Sequence, residues 1–201
     1  MWTRKKGMES WHEILGGRLI EGAWGQGPYL ELSYKNWHIV LDYFVVSTGK
    51  SAITYTRVRT VFKNPTTFEL KVSKEGVFSK IGKALGGQDI NIGDQAFDEH
   101  FVVKSNDDLM ATRLLNSYEI KRRINFHKGF HLDLIKKNQM GLKCKEGESG
   151  LSFLTAHILK EEADIRNLIE LFQHMLDELI ALNVITEESA MTELYKEKNP
   201  L

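Results

Sequence analysis

The chain has 201 residues, 42% hydrophobic and 27% charged, which is long enough and apolar enough to bury a core. Lys plus Arg and Asp plus Glu balance at 27 each, so nothing in the overall charge draws the chain to nucleic acid, and no nucleic-acid partner is expected. The one cysteine, Cys144, allows no internal disulfide and no cysteine-rich zinc site, and suits a reducing compartment.

No apolar run approaches the length of a transmembrane helix, and no signal-peptide pattern is present. The expectation is a soluble cytoplasmic protein, with the inner face of the membrane as the alternative. The start, MWTRKKG, sets an aromatic beside Arg4, Lys5 and Lys6, as in the cytoplasmic flank of a membrane segment, but reads first as a frayed tail.

The first element predicted is a short helix over 9–19, with Trp11, Ile14, Leu15 and Leu19 on one face and Gly16 and Gly17 weakening it. The glycine-rich segment 22–28 reads as a loop. The period then changes to two. Leu30, Leu32 and Tyr34 share one face of a strand, and Lys35 and Asn36 make a turn. Trp37, Ile39, Leu41, Tyr43 and Val45 alternate with His38, Val40, Asp42 and Phe44. A β-branched strand follows over 52–62, and Asn64 and Pro65 break it. Phe68, Leu70 and Val72 form a fourth strand, and short turns make an antiparallel meander the economical topology.

A short helix over 77–85 is expected to stop at Gly86 and Gly87. A strand over 101–104 leads to Ser105 as N-cap of a helix with Asp107 and Asp108 in its first turn. Residues 118–126 continue that helix or form another. Phe130, Leu132 and Leu134, then Met140, Leu142 and Cys144, alternate as a hairpin, and 151–158 reads as a further strand. The clearest helix spans about 161–182, with one stripe of Ile165, Leu168, Ile169, Phe172, Met175, Leu176, Leu179 and Ile180. Thr186 is an N-cap candidate in the tail. The fold class is α+β: an antiparallel β-meander plus a second small sheet or hairpin, and a long amphipathic C-terminal helix. One domain over 1–201 is expected, with pseudo-halves 8–104 and 105–185 and a tail from 186.

The candidate chemistry is thin. Asp89, Asp94, Asp98, Glu99 and His100 lie close in sequence and have the donor types of a hard-cation site or an acid–base pair. They fit no EF-hand, and turn and cap bonding explains the same residues. His127 and His131 have helical metal spacing, but Gly129 and the alternation after it read as two exposed histidines. Cys144 reads as a small core residue. Arg57 and Arg59 share one strand face with Tyr55 alongside, and Lys121, Arg122, Arg123 and Lys128 follow later. Together they offer an anion-binding surface, against a reading in which both are solvated faces that never meet. No metal or other cofactor is called for.

The ordered set Trp11…Leu15-Gly16-Gly17, Thr56-Arg57, LGGQDINIGDQAFDEHFVVKSND and Leu114-Leu115 resembles a family of uncharacterised bacterial proteins. In that family a tryptophan-bearing helix precedes a meander, a Thr-Arg pair and an LGxQDIxxGDxxFDxxFxV block. The resemblance covers most of 11–116 and is specific in the central block. It implies a bacterial setting, and some members carry membrane helices ahead of this region, which this chain lacks. It brings no activity and assigns no catalytic residue. The expectation is therefore a non-enzymatic binding or scaffold protein. The alternatives are a lipid-headgroup or phosphate-binding module at the membrane surface, and a metal-dependent enzyme centred on the acidic turn. A weak association with the membrane surface and a second copy of the chain are the partners in view.

Overall fold

The computed structural model describes residues 3–22, 27–47, 49, 51–74, 89–136, 142, 144–191 and 194. Helix α1 (Arg4–Leu15) is capped by Thr3, whose hydroxyl accepts from the Lys6 N–H at 3.2 Å. The Thr3 cap starts it earlier than the 9–19 expected, and it stops earlier because Gly16 and Gly17 take φ of 69° and 83°. Gly17 also brings the backbone against its neighbour: a Cβ there would lie 2.5 Å from the Glu31 carbonyl oxygen. That close approach starts β1 (Arg18–Ile20), a strand not anticipated from the sequence. It pairs with β2 (Tyr29–Tyr34), which turns through Lys35 at φ 49° into β3 (Trp37–Ser47). The long β4 (Ala52–Lys63) completes the meander.

The fourth strand does not continue it. β5 (Leu70–Lys74) lies across the sheet beside β6 (Phe101–Ser105), and β7 (Phe130–Ile135) and β8 (Glu148–Thr155) stand between it and β4. The order is β1-β2-β3-β4-β8-β7-β5-β6, with every pairing antiparallel. The second group of strands is thus the other half of the same eight-stranded sheet. β7 pairs with β5 and β8; the hairpin strand expected over 140–144 lies outside the described residues except for Leu142 and Cys144. At the exit from β4, Asn64 donates to the Phe68 carbonyl and to Ser149 Oγ, both at 3.0 Å. It also accepts from the Thr66 N–H, which directs the chain away from β4.

The helices follow local rules. Asp94 caps the short α2 (Gln95–Asp98), accepting from the Phe97 N–H at 3.2 Å. Asp107, not Ser105, caps α3 (Asp108–Leu115), accepting from the Met110 N–H at 2.9 Å. Ser105 Oγ instead donates to the Glu69 carbonyl at 2.6 Å, tying β6 to the start of β5. Residues 118–126 form a helix of their own, α4 (Tyr118–Phe126), and α5 (Glu162–Ala181) closes the fold. Thr186 heads no helix, since its N–H bonds the Lys63 carbonyl at 3.2 Å. The helix expected over 77–85 lies outside the described residues.

The register assigns each face of the sheet its character. Leu19, Leu30, Leu41, Val58, Phe153, Leu132, Val72 and Val103 stand directly opposite one another as a single apolar row across all eight strands. α5 buries Ile165, Leu168, Ile169, Phe172, Met175, Leu176 and Leu179 in the same core, and Leu171 widens the expected stripe. Trp11 of α1 and Ile120 and Ile124 of α4 join that core, with Trp11 and Tyr43 ring centroids 5.0 Å apart. Each large side chain so buried contributes about 1.5–3 kcal/mol. One face of the sheet therefore carries the main core, and the other carries polar residues together with a second, small buried cluster of Val40, Val61, Leu142 and Leu194.

Candidate functional site

The residues of the acidic block are engaged in caps, turns and ion pairs, and Asp89, Asp98 and Glu99 line one cleft of about 400 Å³. Asp94 is held by the α2 cap and by Lys121 Nζ at 2.7 Å, and that lysine keeps its carboxyl below the usual range. Asp98 accepts from the Ile92 and Gly93 N–H groups at 3.0 and 3.1 Å. Glu99 accepts from Gln95, His100 Nδ1 lies 2.8 Å from the Ala96 carbonyl, and Asp89 sits 3.5 Å from Lys104 Nζ. Among the described residues no group of three or more His, Cys, Asp or Glu is placed to hold a metal ion.

Arg57 and Arg59 lie elsewhere and are not solvated. They are 6% and 4% exposed on β4 and converge on Asp42 of β3. Arg57 donates from Nε to Oδ1 at 2.8 Å and from Nη2 to Oδ2 at 2.5 Å, and Arg59 Nη2 reaches Oδ2 at 3.2 Å. Burial alone would raise the Asp42 pKa, but the Arg59 and Arg57 guanidiniums hold it below its ordinary value. Phe44 lies under the Arg57 guanidinium, 4.4 Å from ring centroid to Cζ. The basic residues of α4 belong to separate networks: Arg123 bridges Glu119 and Glu170, and Arg122 pairs with Glu119.

The two arginines are part of a larger arrangement on the sheet face away from the helices. One row of directly opposed residues runs Arg18, Glu31, Val40, Arg59, Ser152, Asp133, Lys71 and Lys104 across all eight strands. The adjacent row runs Ile20, Tyr29, Asp42, Arg57, Leu154, His131, Ser73 and Val102. Period-two alternation forces this outcome, because each apolar residue of the core row has polar neighbours facing the other way. What alternation does not dictate is their burial. Glu31, Arg57, Arg59, Lys71, His131 and Asp133 are all 8% exposed or less. The ends of the row reach solvent, with the Arg18 side chain 70% and the Lys104 side chain 26% exposed.

Burial has measurable consequences at the β5–β7 end. Desolvation pushes the Asp133 carboxyl up to about 6, against the attraction of Lys71 on the opposing strand. His131 is lowered by burial and by Lys71. Ser73, 1% exposed, has a hydroxyl with no hydrogen-bond partner. A buried polar group left so costs about 1–3 kcal/mol. Clefts adjoin both ends: one of about 630 Å³ between β1, β2 and α5 includes Arg18, Glu31 and Glu170, and one of about 400 Å³ at the β6 edge includes Asp89 and Val102.

His127 and His131 are both buried, contrary to the exposed positions expected, and they occupy different environments. His127 packs on Phe153 in the apolar core, 5.0 Å between centroids, and burial lowers its pKa to about 4. Cys144 packs against the small cluster of Val40, Val61, Leu142 and Leu194, and burial and Glu148 push its thiol up to about 11. Asp42, Lys71 and Asp133 were legible only as outward positions of alternating strands, and Ser73 carried no signal of its own. Comparison with family models, curated proteins and solved structures gives no match, so the site rests on its own geometry.

Proposed function

We propose that the protein binds a ligand rather than transforming one, and that the ligand presents an oxyanion to the polar face of the sheet. The observation behind this reading is the charge of that face in its buried setting. Arg18, Arg57, Arg59, Lys71 and Lys104 stand against Glu31, Asp42 and Asp133, with Asp89 3.5 Å from Lys104 Nζ: five cations and four carboxylates, a surplus of one positive charge. In a partly desolvated site such a surplus attracts an anion far more strongly than solvated lysines on a surface do. Arginine and lysine together match phosphate and carboxylate groups, whether free or on a lipid headgroup. The inner face of the membrane, the alternative to a cytoplasmic location, would suit the headgroup source.

Thermal unfolding in a few millimolar inorganic phosphate, against chloride at matched ionic strength, tests the reading. A ligand at ten times its Kd adds about 1.4 kcal/mol, or roughly 3–5 °C in a chain of this size. Flotation with phosphatidylserine vesicles at low salt tests the headgroup source. An unchanged melting temperature together with protein left unbound beneath the vesicles refutes the proposal.

A further inference from the structure

At the other end of the sheet, β2 outlasts its neighbour. β1 pairs only with Tyr29, Leu30 and Glu31, so among the described residues Leu32, Ser33 and Tyr34 have no strand beside them on that side. The Glu31 carbonyl points toward β1, since a Cβ on Gly17 would lie 2.5 Å from its oxygen. Backbone groups two residues apart in a strand point the same way, so the Ser33 N–H and C=O face the open edge as well. No hydrogen bond from the described residues reaches them across that edge.

The cleft of about 630 Å³ lies along this edge, a size within the range of about 300–1,000 Å³ that small ligands occupy. Its far wall is α5, which presents Arg166, Ile169, Glu170 and Gln173 as one stripe at helical spacing. Leu15, Leu32 and Ile169 supply its apolar surface. Helix and edge run side by side. Arg166 donates to the Ile14 carbonyl at the end of α1 at 3.0 Å, and further along Asp177 accepts from the Tyr34 hydroxyl at 2.8 Å. From Arg166 to Gln173 the helix rises about 10 Å, the length of about three extended residues.

The rim is charged but balanced. Arg18 and Arg166 stand at the β1 end, with side chains 70% and 50% exposed. Arg18 uses Nη2 on Glu31, and Arg166 uses Nε on Glu162 and Nη2 on Ile14, so each keeps N–H donors for a ligand. Glu170 accepts through Oε2 from Arg123 at 2.8 Å, and the Gln173 amide has no partner among the described residues. Two guanidiniums and two carboxylates complement a ligand that carries both signs of charge.

We propose that this cleft holds a short peptide, about three residues long, added to the β2 edge as an extra strand. It runs in the direction of β1, which sets its carboxylate toward Arg18 and Arg166 and its ammonium group toward Glu170 and Gln173. Its backbone pairs with the Ser33 N–H and C=O, and its apolar side chains rest on Leu15, Leu32 and Ile169. The proposal deepens the reading of the polar face as oxyanion-binding and rests on it, since Arg18 heads that face.

The test is isothermal titration of leucyl-alanyl-leucine into the full chain and into Arg166→Gln and Gln173→Ala. Neither side chain is buried, so both variants are expected to fold, and melting curves check that they do. The unmodified protein binds the tripeptide, and each variant binds it at least fivefold more weakly. The C-terminal amide of the tripeptide loses at least fivefold, and the form N-methylated at both peptide bonds at least tenfold, which recognition of charge alone does not produce. No binding, or equal affinity for the three peptides, overturns the proposal. If phosphate still stabilises the chain in that case, the broader reading stands; if phosphate fails as well, both fall. A dimer in sedimentation that excess tripeptide does not dissociate assigns the edge to a second copy and also overturns the proposal.

Discussion

Asp133→Asn is expected to make the protein more stable at neutral pH. The carboxyl is 6% exposed, and its pKa stands at about 6 against an ordinary value of 3.8. A folded-state pKa above the unfolded one means the native chain holds the proton more tightly. Its contribution is fully present below pH 3.8 and is lost as pH rises through about 6. A difference of about 2.2 units at about 1.36 kcal/mol each gives about 3 kcal/mol of penalty above pH 6. The amide is nearly isosteric with the protonated acid, so the variant escapes most of that penalty, with about 3 kcal/mol as an upper bound. For a chain of this size the gain is roughly 6–12 °C in melting temperature. Melting curves of both proteins from pH 4 to pH 8 read it directly. The two should nearly coincide at pH 4 and diverge through pH 6, with the variant higher. Parallel curves, or a variant that melts lower at pH 8, refute the account of Asp133 as a desolvated carboxylate.

His127→Phe should tilt the profile the other way. Burial lowers this pKa from 6.5 to about 4, so its contribution is present above pH 6.5 and fades as pH falls toward 4. The loss is about 3 kcal/mol, and melting at pH 7 and pH 4.5 should show the variant keeping stability that the unmodified protein gives up. Asp42→Asn leaves two buried guanidiniums without their carboxylate. Urea denaturation should show a loss of about 3–5 kcal/mol, and a loss below 1 kcal/mol would mean the pair is effectively solvated. Asp107→Ala removes the α3 cap and should lower stability by about 1 kcal/mol in the same assay, whereas Ser105→Ala should act through β5 and β6 instead.

The legible part of the fold was the part encoded within single elements. Ile165 through Leu179 trace a helical stripe, Trp37 through Tyr43 alternate, and both mark their inward faces without knowledge of any partner. Partners were the unreadable part. Leu70 to Lys74 alternates equally well beside β4 or beside β7, and only pairing with residues some sixty positions downstream decides it. The same gap concealed the site. Arg57 and Arg59 were visible as a same-face pair, but Asp42, their shared carboxylate, sits on another strand and looked like an ordinary outward residue. Lys71, Ser73 and Asp133 were hidden for the same reason. Polar residues at alternate positions usually mean solvent, and burial on both faces is a property of the assembled sheet.

A sheet needs one apolar face to hold its helices, and this one has it in the row from Leu19 to Val103. Had the second face only to be tolerated, solvated threonines and lysines would serve, with no penalty from desolvation. Instead it carries an Arg–Asp–Arg cluster, a carboxyl held near pH 6 and an unpartnered serine, all a tenth exposed or less apart from Asp42 with its side chain at 15%. Buried ionic groups are weak contributors to stability, and two of these features act against it. Their destabilising effect is concentrated at the β5–β7 end, where Asp133 and the unpartnered Ser73 hydroxyl both lie.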